Sequence, residues 1–517
     1  MKTNLKRLIS ALSHPQIYPE PTDSVILCQT PISCLFFTDE YVYKIKKPID
    51  LGYLDYTSLE QRRYFCEQEL ILNRRLCPEI YLGVVAITFN GTTYAFSDSG
   101  KPIEYAVKMK RLPEERILYN MLEENTVNFD MMDTLARKVV EFHAHAPTNT
   151  QIASYGNIPF LLHNCEENFR QSRQYLGQVL TEEQFGLITD FSNSFIKEHS
   201  SLLKKRVAKH HIRNCHGDLH TQHICFSHDI FIFDCIEFNT RFRYCDTASE
   251  IAFLAMDLEH KGRADLSRRF LQQYIAQSGD TDATILFNFY KNYRACVRGK
   301  VACFSLDDPL MDSVEKERAL ETAQSYFDLA QSYSRKYPLL IIMVGLTGSG
   351  KTTLATALAG RTGAIHISSD ITRKRLAGIP ETEHHYDELD SGLYSAAFNR
   401  KTYDTIFAQA TETIENGYSV ILDAAFLKRE ERERAQALAK QKGATILFVE
   451  CRLDADLTKK RLQQRLSQKT ASDGCWEVYL KQLEWFEPLN HSQAHELVVD
   501  TSISLAQNIR QIMEQIG

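Results

Sequence analysis

Residues 339–358 read LLIIMVGLTGSGKTTLATAL: an apolar run, a glycine-rich turn and a stretch of helix formers. Gly345, Gly350, Lys351 and Thr352 fill the fixed positions of the phosphate-binding pattern G-x-x-x-x-G-K-[ST]. The chemistry needs these residue types. Glycines let consecutive backbone N–H groups curl around phosphate oxygens, and the following helix points its positive end at the same anion. Thr347, Gly348, Ser349 and Thr353 complete that cradle. Lys351 is placed to reach the β- and γ-phosphates, and the Thr352 hydroxyl to ligate Mg²⁺. The pattern predicts a nucleotide, ATP with Mg²⁺.

Working outward downstream, 364–368 predicts a strand ending beside Ser369 and Asp370, and 418–422 another ending at Asp423. The apolar segments 445–451 and 497–499 predict two more. Strands alternating with helices specify a parallel, doubly wound sheet with the nucleotide at the carboxyl ends of its strands. Asp423 lies at such an end, placed to order Mg²⁺ through water. Upstream, 306–337 is polar and helical, and the boundary is placed near Lys336-Tyr337-Pro338. Domains are therefore expected at 1–335 and 336–517, held close because no Gly/Ser-rich linker joins them.

Before that boundary the pattern changes. YVYKIKKP at 41–48 alternates as a strand does, and 58–76 has helical spacing with Glu60, Glu67 and Glu69 along it. Segments 80–89 and 94–111 read as further strands, and 129–213 as mostly helix. Strands first and helices after give an α+β domain with a small and a large lobe. Its decisive segment is CHGDLHTQHICFSHDIFIFD at 215–234. His216-Gly217-Asp218 opens a loop, two short apolar strands follow, and Asp234 ends the hairpin. Two carboxylates brought toward one point suit phosphoryl transfer: one orients or deprotonates an acceptor hydroxyl, the other holds the nucleotide's metal.

Composition bounds the rest. The 517 residues carry a net charge of −6 with 44% hydrophobic and 24% charged content, the profile of a globular protein without bulk attraction for nucleic acid or anionic lipid. Nucleic acid remains a partner only as an acceptor. No apolar run is long enough to span a bilayer, and the first residues lack a signal-peptide apolar core, so a cytoplasmic location is expected. Thirteen cysteines without a CxxC pair are expected reduced.

HGDLH at 216–220 and FDCIEFN at 233–239, with the basic strand and glutamate helix upstream, resemble the aminoglycoside phosphotransferase and choline kinase group, relatives of the protein kinases. The resemblance covers about 25–330 and implies a bilobal protein-kinase-like fold. It makes Asp218 the catalytic base, Asp234 a metal ligand, and Lys44 the α/β-phosphate lysine paired with Glu69 in preference to Glu67. Lys46 competes with Lys44, since alternate strand residues share a face. Where that family has a metal-binding Asn, this chain has His223, whose imidazole also suits Mn²⁺.

GLTGSGKTT, SSDITRKR at 368–375 and VILDAAFLKREER at 420–432 look like small P-loop kinases similar to gluconate kinase and the kinase module of polynucleotide kinase. That resemblance makes Asp370 the base for the acceptor hydroxyl, has Arg373 hold the substrate, and draws a lid arginine from RLQQR, Arg465 in preference to Arg461. The pairing as a whole resembles a bacterial family of such fusions. Four readings stay open. Both sites transfer phosphate to hydroxyls of small molecules or nucleotides; the P-loop domain is a regulatory ATPase; the first domain is a nucleotide-binding scaffold; or His216, His220 and His223 with Asp218 form a metal-dependent hydrolase. The sequence specifies neither acceptor nor oligomeric state.

Overall fold

The computed structural model describes residues 5–97, 99–308, 311–380, 392–465, 474–489 and 495–516. They form two compact units. One comprises Met1–Asn164, Ile196–Leu254 and Arg269–Tyr290; the other comprises Cys165–Phe195, Ala255–Arg268 and Lys291–Gly517. The protein combines a bilobal α+β kinase-like region with an α/β P-loop region built on a parallel sheet.

In the first unit six strands form an antiparallel sheet in the order Ile26–Gln29, Ser33–Phe37, Tyr41–Lys46, Pro102–Lys110, Tyr81–Phe89, Tyr94–Phe96. Strand alternation sends Tyr43 and Ile45 into a core with Leu8, Leu12 and Phe36, while Lys44 and Lys46 project from the opposite face. The helix Leu59–Asn73 starts at a capping box, Ser58 with Gln61, and presents Cys66 and Glu69 to the sheet. After the helices come two small ladders: Ile212–Asn214 with Tyr244–Asp246, and Ile224–Phe226 with Ile230–Ile232. The second is the hairpin expected between the two carboxylates.

In the second unit five strands run parallel in the order Ile365–Ser368, Val420–Asp423, Leu339–Val344, Thr445–Arg452, Glu496–Asp500. Leu340, Ile342 and Val344 face one core with Phe407 and Phe426. Leu339, Ile341 and Met343 face another with Leu354, Leu358 and Ile512. Burial on both faces explains why the strand is continuously apolar. The helix Lys351–Thr362 springs from its carboxyl end through the glycine loop.

Candidate active sites

The first site is built where the sheet, the glutamate helix and the hairpin end meet. Lys44 Nζ lies 2.9 Å from Glu69 Oε1 and 2.5 Å from Asp234 Oδ1. Lys46 Nζ lies 2.7 Å from Glu69 Oε2 and also binds Glu237, which accepts the Tyr56 hydroxyl at 2.6 Å. Glu69, fully buried, thus takes one lysine on each oxygen. Glu67 points to the surface and pairs with Arg63 at 2.9 Å. Burial opposes the Lys44 charge, but Asp234 and Glu69 outweigh it and hold its pKa above the usual range. Burial would likewise raise Asp234; Lys44 and then His223 overcome it and hold the carboxyl well below its ordinary value.

The loop carrying Asp218 is clamped from behind. Glu250 Oε1 accepts the N–H groups of His216 at 2.8 Å and Gly217 at 2.6 Å. Glu250 Oε2 meets His143 Nε2 at 2.8 Å, and His143 Nδ1 meets the Tyr274 hydroxyl at 2.8 Å. Gly217 has φ +89°, and a Cβ there would stand 2.9 Å from Phe242 O, so the turn needs glycine on both counts. His216 Nδ1 accepts the Asp218 N–H at 3.3 Å; its Nε2 therefore carries the proton and donates to Phe233 O at 2.9 Å. One imidazole ties the two acid-bearing loops together. Asp234 itself sits at φ +61°, a left-handed conformation in which aspartate is tolerated and which aims its carboxylate.

Hydrogen bonding separates the roles of the other two histidines. His220 Nδ1 accepts the Gln222 N–H at 3.3 Å, so the proton is on Nε2, 3.4 Å from Asp218 Oδ2. A protonated nitrogen is no metal ligand, which counts against an Asp218–His220–His223 metal cluster even though these groups lie near one another. His223 is the reverse. Its Nδ1 donates to Asp218 O at 3.0 Å, leaving the Nε2 lone pair facing Asp234 Oδ2 at 3.6 Å. Burial and then His220 push the His223 pKa down to about 4, so its ring is neutral at pH 7. Two acceptors facing each other across 3.6 Å fit a shared divalent cation.

The second site lies at the carboxyl end of its sheet. Gly345, Gly348 and Gly350 all have positive φ, at +138°, +79° and +89°. A Cβ on Gly348 would stand 2.9 Å from Thr458 Cγ2. Lys351 Nζ donates to Leu346 O at 2.7 Å. Burial would raise the Asp423 pKa; hydrogen bonds from His366 and Thr352 and the Lys351 charge bring it below its ordinary value. Thr352 and Asp423 therefore share one spot, with His366 Nε2 3.1 Å from Asp423 Oδ2. A cleft of about 260 Å³ beside the loop is lined by Gly348, Gly350, Thr353, Leu354, Arg461 and Thr501 among others. Asp370 pairs with Arg373 at 3.0 Å, and Arg373 reaches Asn399 Oδ1 at 3.0 Å and lies over the Tyr394 ring. Arg465 ends the helix Ala455–Arg465, and its side chain lies outside the described residues.

Four site residues escape the sequence reading. Glu237 was signalled by its three-residue spacing from Asp234; Glu250 and His366 had no local pattern, because each meets its partner through tertiary packing. Gln482, which meets Thr347, also had none.

Residues 69–286 match the model of the Phosphotransferase enzyme family, and residues 340–489 match the model of the AAA domain. The chain is thus a fusion of an aminoglycoside phosphotransferase/choline kinase-like domain with a small P-loop kinase domain. It is 30% identical over 446 residues to the uncharacterized protein Rv2004c of Mycobacterium tuberculosis (strain ATCC 25618 / H37Rv), covering 84% of this chain and 85% of that one. The uncharacterized protein Mb2027c of Mycobacterium bovis matches over the same shares at 30% identity. The chain belongs to the family of these mycobacterial proteins. Among solved structures, a gluconokinase from Sinorhizobium meliloti 1021 is 22% identical, with a TM-score of 0.25 over 35% of this chain and 93% of its own. A Plasmodium vivax ethanolamine kinase is 12% identical, with a TM-score of 0.35 over 58% of this chain and 82% of its own. Among the described residues no helix is long and apolar enough to cross a membrane.

Proposed function

We propose that the chain is a cytoplasmic, ATP-dependent phosphotransferase with two nucleotide sites, in domains 1–335 and 336–517, each passing a γ-phosphoryl group to a hydroxyl of a small molecule or nucleotide. The observation that carries this reading is Lys44, held between Glu69 at 2.9 Å and Asp234 at 2.5 Å. A buried lysine joining a helix glutamate to the hairpin aspartate is what phosphate positioning requires. At the first site Lys44 binds the α/β-phosphates, and Asp234 with His223 holds Mg²⁺. Once bound, the cation neutralises charge on the phosphates. Asp218 takes the acceptor's proton while the acceptor oxygen bonds to the γ-phosphorus and the bond to ADP breaks. At the second site Lys351 and the loop amides hold the phosphates, Thr352 and Asp423 hold Mg²⁺, Asp370 is the base, and Arg373 and Arg465 serve acceptor and phosphate.

The test is ATP-dependent mass gain in a pool of metabolites and oligonucleotides incubated with the full chain, its Asp218→Asn and Lys351→Ala variants, and the double variant. Each single change is expected to lower a distinct set of products by about 100-fold or more, and the double change to remove both sets. A product pattern that Asp218→Asn leaves wholly unchanged overturns the first site. Release of inorganic phosphate alone by wild type makes the chain an ATPase.

A further inference from the structure

Asp423 ends the strand Val420–Asp423, and the strand Ile365–Ser368 runs parallel to it with Ser368 opposite Asp423. Side chains alternate between the two faces along each strand. Leu422 and Ile367 face the core around Phe407 and Phe426, whereas Ile421 faces the core around Leu354 and Leu358. His366 and Asp423 therefore share the face that packs the phosphate-loop helix, and His366 Nε2 lies 3.1 Å from Asp423 Oδ2. Ile341, Met343, Ile421, Leu447 and Val449 on that face are apolar. Packing alone gives no reason for an imidazole there; the Asp423 carboxylate does. An ionised carboxylate only accepts, so His366 Nε2 carries the proton. Water competes little for this bond, because the Asp423 side chain is 4% exposed and that of His366 17%.

The donor set fits Mg²⁺, since the Thr352 hydroxyl and the Asp423 carboxylate meet there and both are hard oxygen donors. Mg²⁺ demands a near-octahedral shell and keeps several waters, whereas the larger Ca²⁺ readily takes both oxygens of one carboxylate. A hydrogen bond that occupies Oδ2 therefore suits the smaller ion and handicaps the larger. We propose that His366 is a positioning residue that makes the P-loop site prefer Mg²⁺ to Ca²⁺: its Nε2–H holds Oδ2 of Asp423, so that the carboxylate serves the cation through its other oxygen. This rests on the reading of 336–517 as an ATP site. Selectivity distinguishes the role from bracing of the fold, which would not tell one cation from another.

Labelled ATP is dialysed to equilibrium against the full chain with Mg²⁺ or Ca²⁺ as the varied cation. Binding at this site is the excess over the same chain carrying Lys351→Ala, which leaves the first domain's nucleotide in both. His366→Leu fills similar space without a donor. It is expected to raise the Mg²⁺ concentration at half-saturation about tenfold, the scale of effect when a metal ligand loses its orienting partner. Its Ca²⁺ midpoint is expected to stay within about threefold, because the released oxygen becomes available to the larger ion. His366→Gln keeps an N–H at similar reach and is expected to leave both midpoints within about threefold of wild type. An unmoved Mg²⁺ midpoint in His366→Leu, or parallel rises for the two cations, overturns the selectivity. Equal shifts in His366→Leu and His366→Gln assign the ring to packing alone and overturn it too. Equal ATP binding by wild type and Lys351→Ala at every cation concentration removes the ATP-site reading, and the proposal with it.

Discussion

His220 and His223 are three residues apart and hold opposite tautomers, each fixed by one backbone group: the Gln222 N–H for His220 and the Asp218 carbonyl for His223. The consequence for His220 is a donor aimed at the Asp218 carboxylate, 3.4 Å away. It is a positioning residue for Asp218, and its substitution has a conservative version. In His220→Gln the amide oxygen still accepts from Gln222 and the amide nitrogen still donates to Asp218. His220→Phe fills the same 2%-exposed space with neither group. Transfer by the first site is expected to drop about tenfold or more in kcat for His220→Phe, with KM for ATP unchanged, and to stay within about threefold of wild type for His220→Gln. Equal losses in both variants would assign the ring a packing role only. At this scale the placements of Asp218 and Asp234 on either side of one hairpin, and of Lys351 at the head of its helix, were legible because a motif fixes them. Lys44 and Lys46 were not separable in the sequence, because both face the same side of one strand. Only the fold aims Lys44 at Asp234 and Lys46 at Glu237.

Elements were most legible where burial was one-sided or complete. The parallel strands around the phosphate loop fall within a residue or two of their expected ends, because each is an apolar run closed by a polar residue. Ile26–Gln29 gave no such signal: it is largely exposed and sits at a sheet edge. Ile212–Asn214 and Tyr244–Asp246 are three residues each, too short for periodicity to show. Close approach between helices is also hidden in sequence, and glycine reveals it afterwards. Gly360, on the helix after the phosphate loop, would place a Cβ 2.7 Å from His260 O, which belongs to a helix end and cannot recede like a side chain. Gly186, within the helix Glu182–Glu198, has nothing within 4 Å of its Cβ position. The same substitution therefore has opposite expected signs. Gly360→Ala is expected to cost about 1–3 kcal/mol by overpacking, and Gly186→Ala to add up to about 1 kcal/mol by helix propensity. Thermal melts of the two variants check this, and a neutral Gly360→Ala would mean the helix contact is looser than it looks.

At the scale of the molecule, the family matches and the compact units do not share a border. Residues 255–268 fall inside the phosphotransferase match, yet they group with the P-loop sheet. The reason is visible around the phosphate-loop helix. Gly262 would bring a Cβ 3.3 Å from Thr356 O, and Gly363 lies against Glu259, Leu329 and Tyr333. Asp328 pairs with Arg361 at 2.8 Å, Arg268 with Glu412 at 2.8 Å, and Arg335 donates to Ile516 O at 2.9 Å. Sequence reading placed a border near residue 336 because the strand pattern begins there, and no local feature of 255–334 announces what its helices cover. A fragment cut at 336 loses every one of these partners. A fragment from 291 keeps Leu329, Tyr333, Asp328 and Arg335, but not Glu259, His260 or Arg268. Urea unfolding followed by tryptophan emission, which in this chain reports only this region, is therefore expected to rank the midpoints: full chain highest, 291–517 next, 336–517 lowest or insoluble. The uncovered surface decides the order, since the helix face carrying Thr356, Ala359, Gly360 and Gly363 is the one that Gly262, His260, Leu329 and Tyr333 approach. Equal midpoints for 336–517 and the full chain would show that the sheet and its own helices hold the phosphate loop unaided, and that the upstream helices contribute no stability to it.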